Sequence, residues 1–192
     1  MTGDRMSRRR WLTRSAVLAS AIGGLWLAGE GAWMAAKAEL GQVLLQRAWD
    51  GNRDAPWSGA DMSPLARLTA PALGVETIVL DSASGEAMAW GPGHVRGTAL
   101  PGAPGLAAIA GHRDSHLAFL GDLGPGSEVV IERGGETHRF RVTGAEVVDS
   151  RTWRFPAERD GRPRLALSTC WPLDAQTPGP LRLIVHAEAI RA

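Results

Sequence analysis

Leu165-Ala166-Leu167-Ser168-Thr169-Cys170-Trp171-Pro172 is the stretch from which the rest of the 192-residue sequence can be read. Taken as a strand, it puts Leu165 and Leu167 on one face and Ala166, Ser168 and Cys170 on the other, because successive side chains of an extended chain point to opposite sides. The leucines belong in a core, so the sulfur is turned away from it, at the C-terminal end of the strand. Pro172 has no backbone donor and stops the ladder there. A free cysteine is ordinarily buried and inert, and the alternation argues against that here. Cys170 is also the single cysteine, which excludes an internal disulfide framework and any multi-cysteine zinc or iron–sulfur site.

Outward from this strand, short β-like runs are separated by Gly, Pro and Asp. They are Ala66–Leu68, Val75–Leu80, Ala87–Trp90, Leu106–Ala110, Glu128–Arg133, Glu136–Val142, Ala145–Val148, Leu165–Ser168 and Leu181–Glu188. Gly134-Gly135 suits the two positive-φ positions of a tight hairpin. A helical turn is expected only within His116 to Leu123. Many short strands with one or two short helices predict a mainly β fold, a closed β-barrel. The length fits one such domain plus an appendage. Apolar residues at 44% and charged residues at 21% exclude a disordered chain and a polytopic membrane protein.

The appendage is N-terminal. Five arginines and one aspartate fall in residues 1–15, whereas the rest of the chain carries 16 basic and 19 acidic residues. Positive charge is thus concentrated at one end, not spread over a nucleic-acid-binding face, and no nucleic-acid partner is expected. Residues 16–36 are uncharged apart from Glu30, predominantly apolar, and long enough to span a bilayer as a helix. The flanking arginines set the N-terminus in the cytoplasm. Residues 1–15 are accordingly read as a basic cytoplasmic tail, 16–36 as a membrane anchor, 37–63 as a stalk helix and linker, and 64–192 as the barrel domain. That arrangement predicts a single-pass protein of the cytoplasmic membrane with its domain on the extracytoplasmic side. Within the stalk, Leu40, Val43, Leu44 and Ala48 follow helical spacing and are expected to pack on the domain, and Pro56-Trp57 to tuck against it or loop out. A cleavable signal ending near Ala36-Lys37-Ala38 and a twin-arginine signal at Ser7-Arg8-Arg9-Arg10-Trp11-Leu12 are competing export readings.

Two further segments carry candidate chemistry. In Ala110-Gly111-His112-Arg113-Asp114-Ser115-His116, His112 sits just past the end of an apolar strand. His112, His116 and Asp114 form a thin ligand set without cysteine partners, so no metal is expected there. In Leu181-Arg182-Leu183-Ile184-Val185-His186, Arg182 alternates away from Leu181, Leu183 and Val185. Twelve residues separate Cys170 from Arg182, enough for a loop and a return strand that sets the two side by side. His186 on the same strand would lie about 13 Å from Arg182, at ~3.3 Å per residue, too far for one site.

These residues together resemble the sortases. Ala166-Leu167-Ser168-Thr169-Cys170 is similar to the family's T-L-x-T-C signature at the end of a barrel strand, with Ala166 in place of the usual Thr. Gly111-His112 matches its Gly-His motif, and Arg182 matches the arginine on the strand after the cysteine. Cys170-Trp171-Pro172 and Pro180-Leu181-Arg182 look most like the Gram-negative (proteobacterial, class GN) branch. The resemblance runs from about Pro64 to Ile190.

It implies a sortase-type barrel and a membrane-anchored cysteine transpeptidase that cleaves a Leu-Pro-x-Thr-Gly-like (LPXTG) sorting signal through a thioester and passes the acyl group to an amine. Cys170 would be the nucleophile, since the thiolate is the competent form. His112 would act as proton donor and acceptor, and Arg182, always cationic, would stabilise the oxyanion or position carbonyls. Thr169 is a substrate-binding or oxyanion candidate. Asp114, His116 and His186 stay outside the catalytic set. The expected partners are a protein bearing the sorting signal, an envelope amine and the membrane. No cofactor is expected, with calcium activation left open. The competing readings are an envelope cysteine hydrolase, an L,D-transpeptidase-like crosslinker (whose Ser-His-Gly-Cys signature is lacking) and a catalytically silent β-barrel adaptor.

Overall fold

The structure, a computed structural model, describes residues 40–51, 55–156, 161–175 and 177–190. The expected tail and anchor, residues 1–36, lie outside these, as does the start of the stalk. Among the described residues no helix is long and apolar enough to cross a membrane. Eight strands follow one another: β1 (Pro64–Ala70), β2 (Val75–Leu80), β3 (Gly93–His94), β4 (Gly105–Ala110), β5 (Glu128–Arg133), β6 (Glu136–Asp149), β7 (Pro163–Cys170) and β8 (Leu181–Ala189). They close into a barrel in the order β1-β2-β3-β4-β7-β8-β6-β5. Closure leaves no long unpaired edge.

Period-two alternation fills the interior. Leu165 and Leu167 of β7 meet Leu183, Val185 and Ala187 of β8, Ile131 of β5, Phe140 of β6 and Ile109 of β4 in one buried cluster. Burial of each such large apolar side chain is worth about 1.5–3 kcal/mol. The opposite face of β7 and β8 is also covered. Ala166, Ile184, Val148, Leu106 and Ala108 form a second cluster on the outside of the sheet, roofed by Trp153 and Phe155 from the segment after β6. These two rings meet edge to face at 4.8 Å.

Several details differ from the sequence reading. Residues Ala87–Ala89 form a 3-10 turn, not a strand. The Ala87 amide donates to Ser84 Oγ at 3.2 Å and the Met88 amide to the Ser84 carbonyl at 2.9 Å, a serine cap that outcompetes the alternating pattern. Glu136–Val142 and Ala145–Val148 are one 14-residue strand, because Gly144 accommodates a register shift between β6 and β8 and does not break the strand. The expected hairpin at Gly134-Gly135 is present, with φ of 60° and 80°. The turn within 116–123 is a 3-10 helix, Ala118–Asp122.

The helix over residues 40–50 packs on the barrel with only part of the face the spacing suggested: of the expected residues, Ala48 is buried and Leu44 half-buried. Leu45 and Ala48 are buried, whereas Leu40 is 57% and Val43 46% exposed. The face is set by Leu45, which packs with Ile78 and Leu80, and by Gln42, whose amide oxygen accepts from the Ile78 amide at 3.0 Å and the Thr77 hydroxyl at 3.1 Å. Its Nε2 donates to the Trp90 carbonyl at 2.7 Å. Trp57 joins this contact, its ring tilted against that of Trp90 with the centroids 4.8 Å apart, beside a buried Pro56. Arg67 of β1 ties the helix end down through Asp50 at 2.6 Å.

Candidate functional site

The site follows from one parallel strand pair. β4 and β7 run side by side in the same direction, with Ala110 opposite Ser168. Their C-terminal ends therefore emerge together, and the turn carrying His112 leaves the barrel beside Cys170. Two hydrogen bonds fasten it there. The Gly111 amide donates to the Ser168 carbonyl at 3.1 Å, and the buried Thr169 hydroxyl donates to the Gly111 carbonyl at 2.9 Å. Gly111 has to be glycine: a Cβ there would lie 2.9 Å from Leu117 Cγ and 3.2 Å from Pro92 Cβ.

β8 returns antiparallel to β7 and sets Arg182 directly opposite Cys170. Both residues lie on the outer face, the one occupied by Ala166 and Ile184, and both are half-buried. The Arg182 Nη1 donates to the Gly179 carbonyl at 2.7 Å and to the Leu181 carbonyl at 2.8 Å. Both acceptors are neutral, and among the described residues Arg182 makes no ion pair. The nearest carboxylate on the partner strand, that of Asp149 at the end of β6, is held by Arg151. The Nε of Arg151 reaches Asp149 Oδ1 at 2.9 Å and Oδ2 at 3.1 Å, and its backbone amide donates to Oδ1 at 2.9 Å. These bonds lower the Asp149 carboxyl to about 2.

His112 is exposed, at the mouth of the turn. His116, one turn further on, is half-buried. Burial holds its imidazole below the ordinary histidine value, the neighbouring His112 pushes the same way, and Asp114 opposes both. His116 therefore stays neutral under conditions in which an exposed imidazole takes a proton. Thr169 points to the inner side of β7, with its hydroxyl hydrogen committed to Gly111, so it joins the cysteine strand to the histidine turn. His186 lies on β8 beyond Ile184 and bonds Glu146 at 2.9 Å, at the other end of the strand pair. Among the described residues no group of three or more His, Cys, Asp or Glu converges as a metal-ligand set.

Arg113 is a residue the sequence reading did not single out. Its Nη1 donates to the Pro172 carbonyl and its Nη2 to the Thr177 carbonyl, each at 3.0 Å. Its acceptors are backbone groups 59 and 64 positions away, so the only sequence signal was its place beside His112.

In chain order and in space, then, a Gly-His turn, a strand-terminal cysteine and an arginine on the adjacent strand share one rim of a closed barrel. Structural relatives share this fold. Sortase A from Corynebacterium diphtheriae is 23% identical with a TM-score of 0.62, the match covering 70% of this chain and 64% of that one. Group B Streptococcus Pilus Island 1 Sortase C2 is 23% identical with a TM-score of 0.61, covering 67% of this chain and 74% of that one. A Clostridium perfringens Sortase D5 transpeptidase is 22% identical with a TM-score of 0.59, covering 67% of this chain and 80% of that one. The chain thus spans just under two thirds of the length of the corynebacterial sortase A. No curated protein matches it in sequence. The sortase domain family matches residues 68–190, a span that runs from β1 through the His112 turn, Cys170 and Arg182 to the end of β8. On that match, the chain belongs to the sortase family.

Proposed function

We propose that the chain is a membrane-anchored cysteine transpeptidase of the Gram-negative sortase branch, acting on an LPXTG-like sorting signal outside the cytoplasm. The observation that carries the reading is the β7–β8 register, in which Cys170 faces Arg182 on the outer side of the sheet. A cysteine serving the interior of the barrel would sit with Leu165 and Leu167.

The chemistry follows from the groups present. The Cys170 thiolate attacks the scissile threonyl carbonyl carbon, a C–S bond forms, and the carbonyl oxygen becomes an oxyanion. Arg182, bound only to neutral carbonyls, has charge to offer that oxygen as it develops. Collapse breaks the C–N bond, and protonated His112 gives its proton to the departing glycyl amine. An incoming amine attacks the thioester, His112 takes a proton from it, and Cys170 leaves as thiolate. Thr169 holds the two catalytic segments together through Gly111. Residues 1–36 supply the anchor in this reading, with their arginines on the cytoplasmic side.

Incubation with a Leu-Pro-x-Thr-Gly-like peptide, followed by mass spectrometry of the intact chain, tests the proposal. The expected product is an acyl adduct on Cys170 that Cys170→Ala abolishes. Continued turnover in that variant refutes the thioester. Adding an amine separates transfer from hydrolysis. A Cys170 that alkylates no faster than a free peptide thiol at neutral pH favours the silent adaptor instead.

A further inference from the structure

The segment between Cys170 and Arg182 has to cross from β7 to β8 at the mouth of the site, and among the described residues its own backbone bonds are few. The Trp171 amide donates to the Leu181 carbonyl at 3.0 Å, and the Ala175 amide to the Pro172 carbonyl at 3.3 Å. Trp171 and Leu173 pack against the barrel core at the start of the loop, whereas Pro172, Asp174, Thr177 and Pro178 are exposed, so burial holds the outgoing leg and does little for the returning one. From the opposite side, Arg113 spreads the two arms of its guanidinium over the loop. One arm binds Pro172 on the outgoing leg, and the other binds Thr177 on the returning leg. The Pro172 carbonyl thereby accepts from both Arg113 and Ala175. A planar fork with a permanent charge suits two carbonyls on separate legs in a way that a single ammonium does not.

We propose that Arg113 is a positioning residue that clamps the β7–β8 loop to the His112 turn, so that the wall of the peptide groove beside Cys170 is formed before substrate arrives. The proposal rests on the transpeptidase reading for its effect on catalysis, but the clamp itself does not. Arg113 reaches neither the sulfur nor its partner Arg182 through any bond, and it acts by fixing the loop between them. Preorganisation of this kind shows in the affinity for a peptide that lies along the loop, while the reacting groups keep their geometry.

Two measurements on Arg113→Ala and Arg113→Lys test it. Hydrogen exchange needs no substrate: in both variants the Ala175 amide is expected to exchange about tenfold faster, with the amides of β7 and β8 unchanged. With a Leu-Pro-x-Thr-Gly-like peptide, KM is expected to rise about tenfold in Arg113→Ala while kcat stays within about twofold. The alkylation rate of Cys170 by iodoacetamide is expected to match the wild type across pH. Unchanged exchange at Ala175 overturns the clamp. So does a fall in kcat at constant KM, which a loss of folded protein would give, or full recovery of KM by lysine. If the wild type does not process the peptide, the transpeptidase reading fails on its own, and the exchange result still decides the clamp.

Discussion

The β7–β8 pair presents the same outer face at both of its ends, and the two ends are electrostatically unlike. At the far end Arg164 stands opposite Glu188 in the register, and His186 bonds Glu146. Acids and bases there are matched around an open cleft of about 370 Å³ that also takes in Leu106 and Gly144. At the other end Arg182 stands opposite a thiol, its hydrogen bonds go to neutral carbonyls, and the carboxylate one register step away is taken by Arg151. The second guanidinium there, Arg113, is likewise spent on carbonyls. One pair of strands thus carries an end where acids and bases stand beside one another and an end where Arg182 stands opposite a thiol and bonds carbonyls. Paired surface charges contribute little to stability, whereas unpaired charge aimed at a reacting group is what catalysis uses. On the transpeptidase reading, the difference points to the Cys170 end where concavity does not, since the open clefts along β7 and β8 lie toward the other end.

The comparison breaks first at Arg182. Arg182→Gln is expected to lower kcat/KM by at least about a hundredfold, the scale of losing one oxyanion donor. Arg182→Lys is expected to lose most of that too, because a point charge does not reproduce the fork. Peptide-cleavage kinetics near the wild-type rate for either variant would remove the distinction between the two ends.

The histidines sharpen it at intermediate scale. His116 is held below its ordinary pKa of 6.5 in the folded chain, so below that pH the unfolded chain binds more protons than the folded one. Stability from this residue is complete above about pH 6.5 and falls as pH drops through it, levelling once the folded-state imidazole is also protonated. His116→Gln is expected to flatten this part of the stability profile, read by urea denaturation at pH 7.5 and 5.5. An unchanged slope would show that the turn does not desolvate His116.

The smallest effect is expected at the matched end. Glu146→Gln removes the partner of a half-exposed His186, and should change stability by no more than about 1 kcal/mol and leave kcat/KM within about twofold. A large loss of activity there would mean that charge matching is not what separates the two regions.

The site was legible in the sequence to the extent that alternation controls it. Leu165 and Leu167 on one side placed Cys170 on the other, and Leu183 and Val185 did the same for Arg182. The strand-end position of His112 was also readable, because Leu106–Ala110 is a plain apolar run. What alternation could not convey was anything decided by a neighbour distant in sequence. The outer face of β7 looked like solvent-facing surface, yet Trp153 and Phe155 cover Ala166 and Ile184 from a loop with no regular pattern. The buried side of the helix over 40–50 follows Leu45, which packs with Ile78 and Leu80, and Gln42, which reaches three groups on the barrel, rather than Leu40 and Val43. The two-residue strand β3 is too short for any period to show. Arg113 was invisible for a similar reason, since backbone carbonyls carry no side-chain signature.

The position of β8 between β7 and β6 has a consequence for the order in which the molecule becomes competent. Until Leu181–Ala189 has been synthesised and inserted, the barrel is an open sheet with two exposed edges, and Cys170 has no cation across from it. Insertion closes the sheet and delivers the guanidinium in one event. The juxtaposition of Cys170 and Arg182 therefore belongs to the finished barrel alone and is absent from every shorter or partly folded form of the chain.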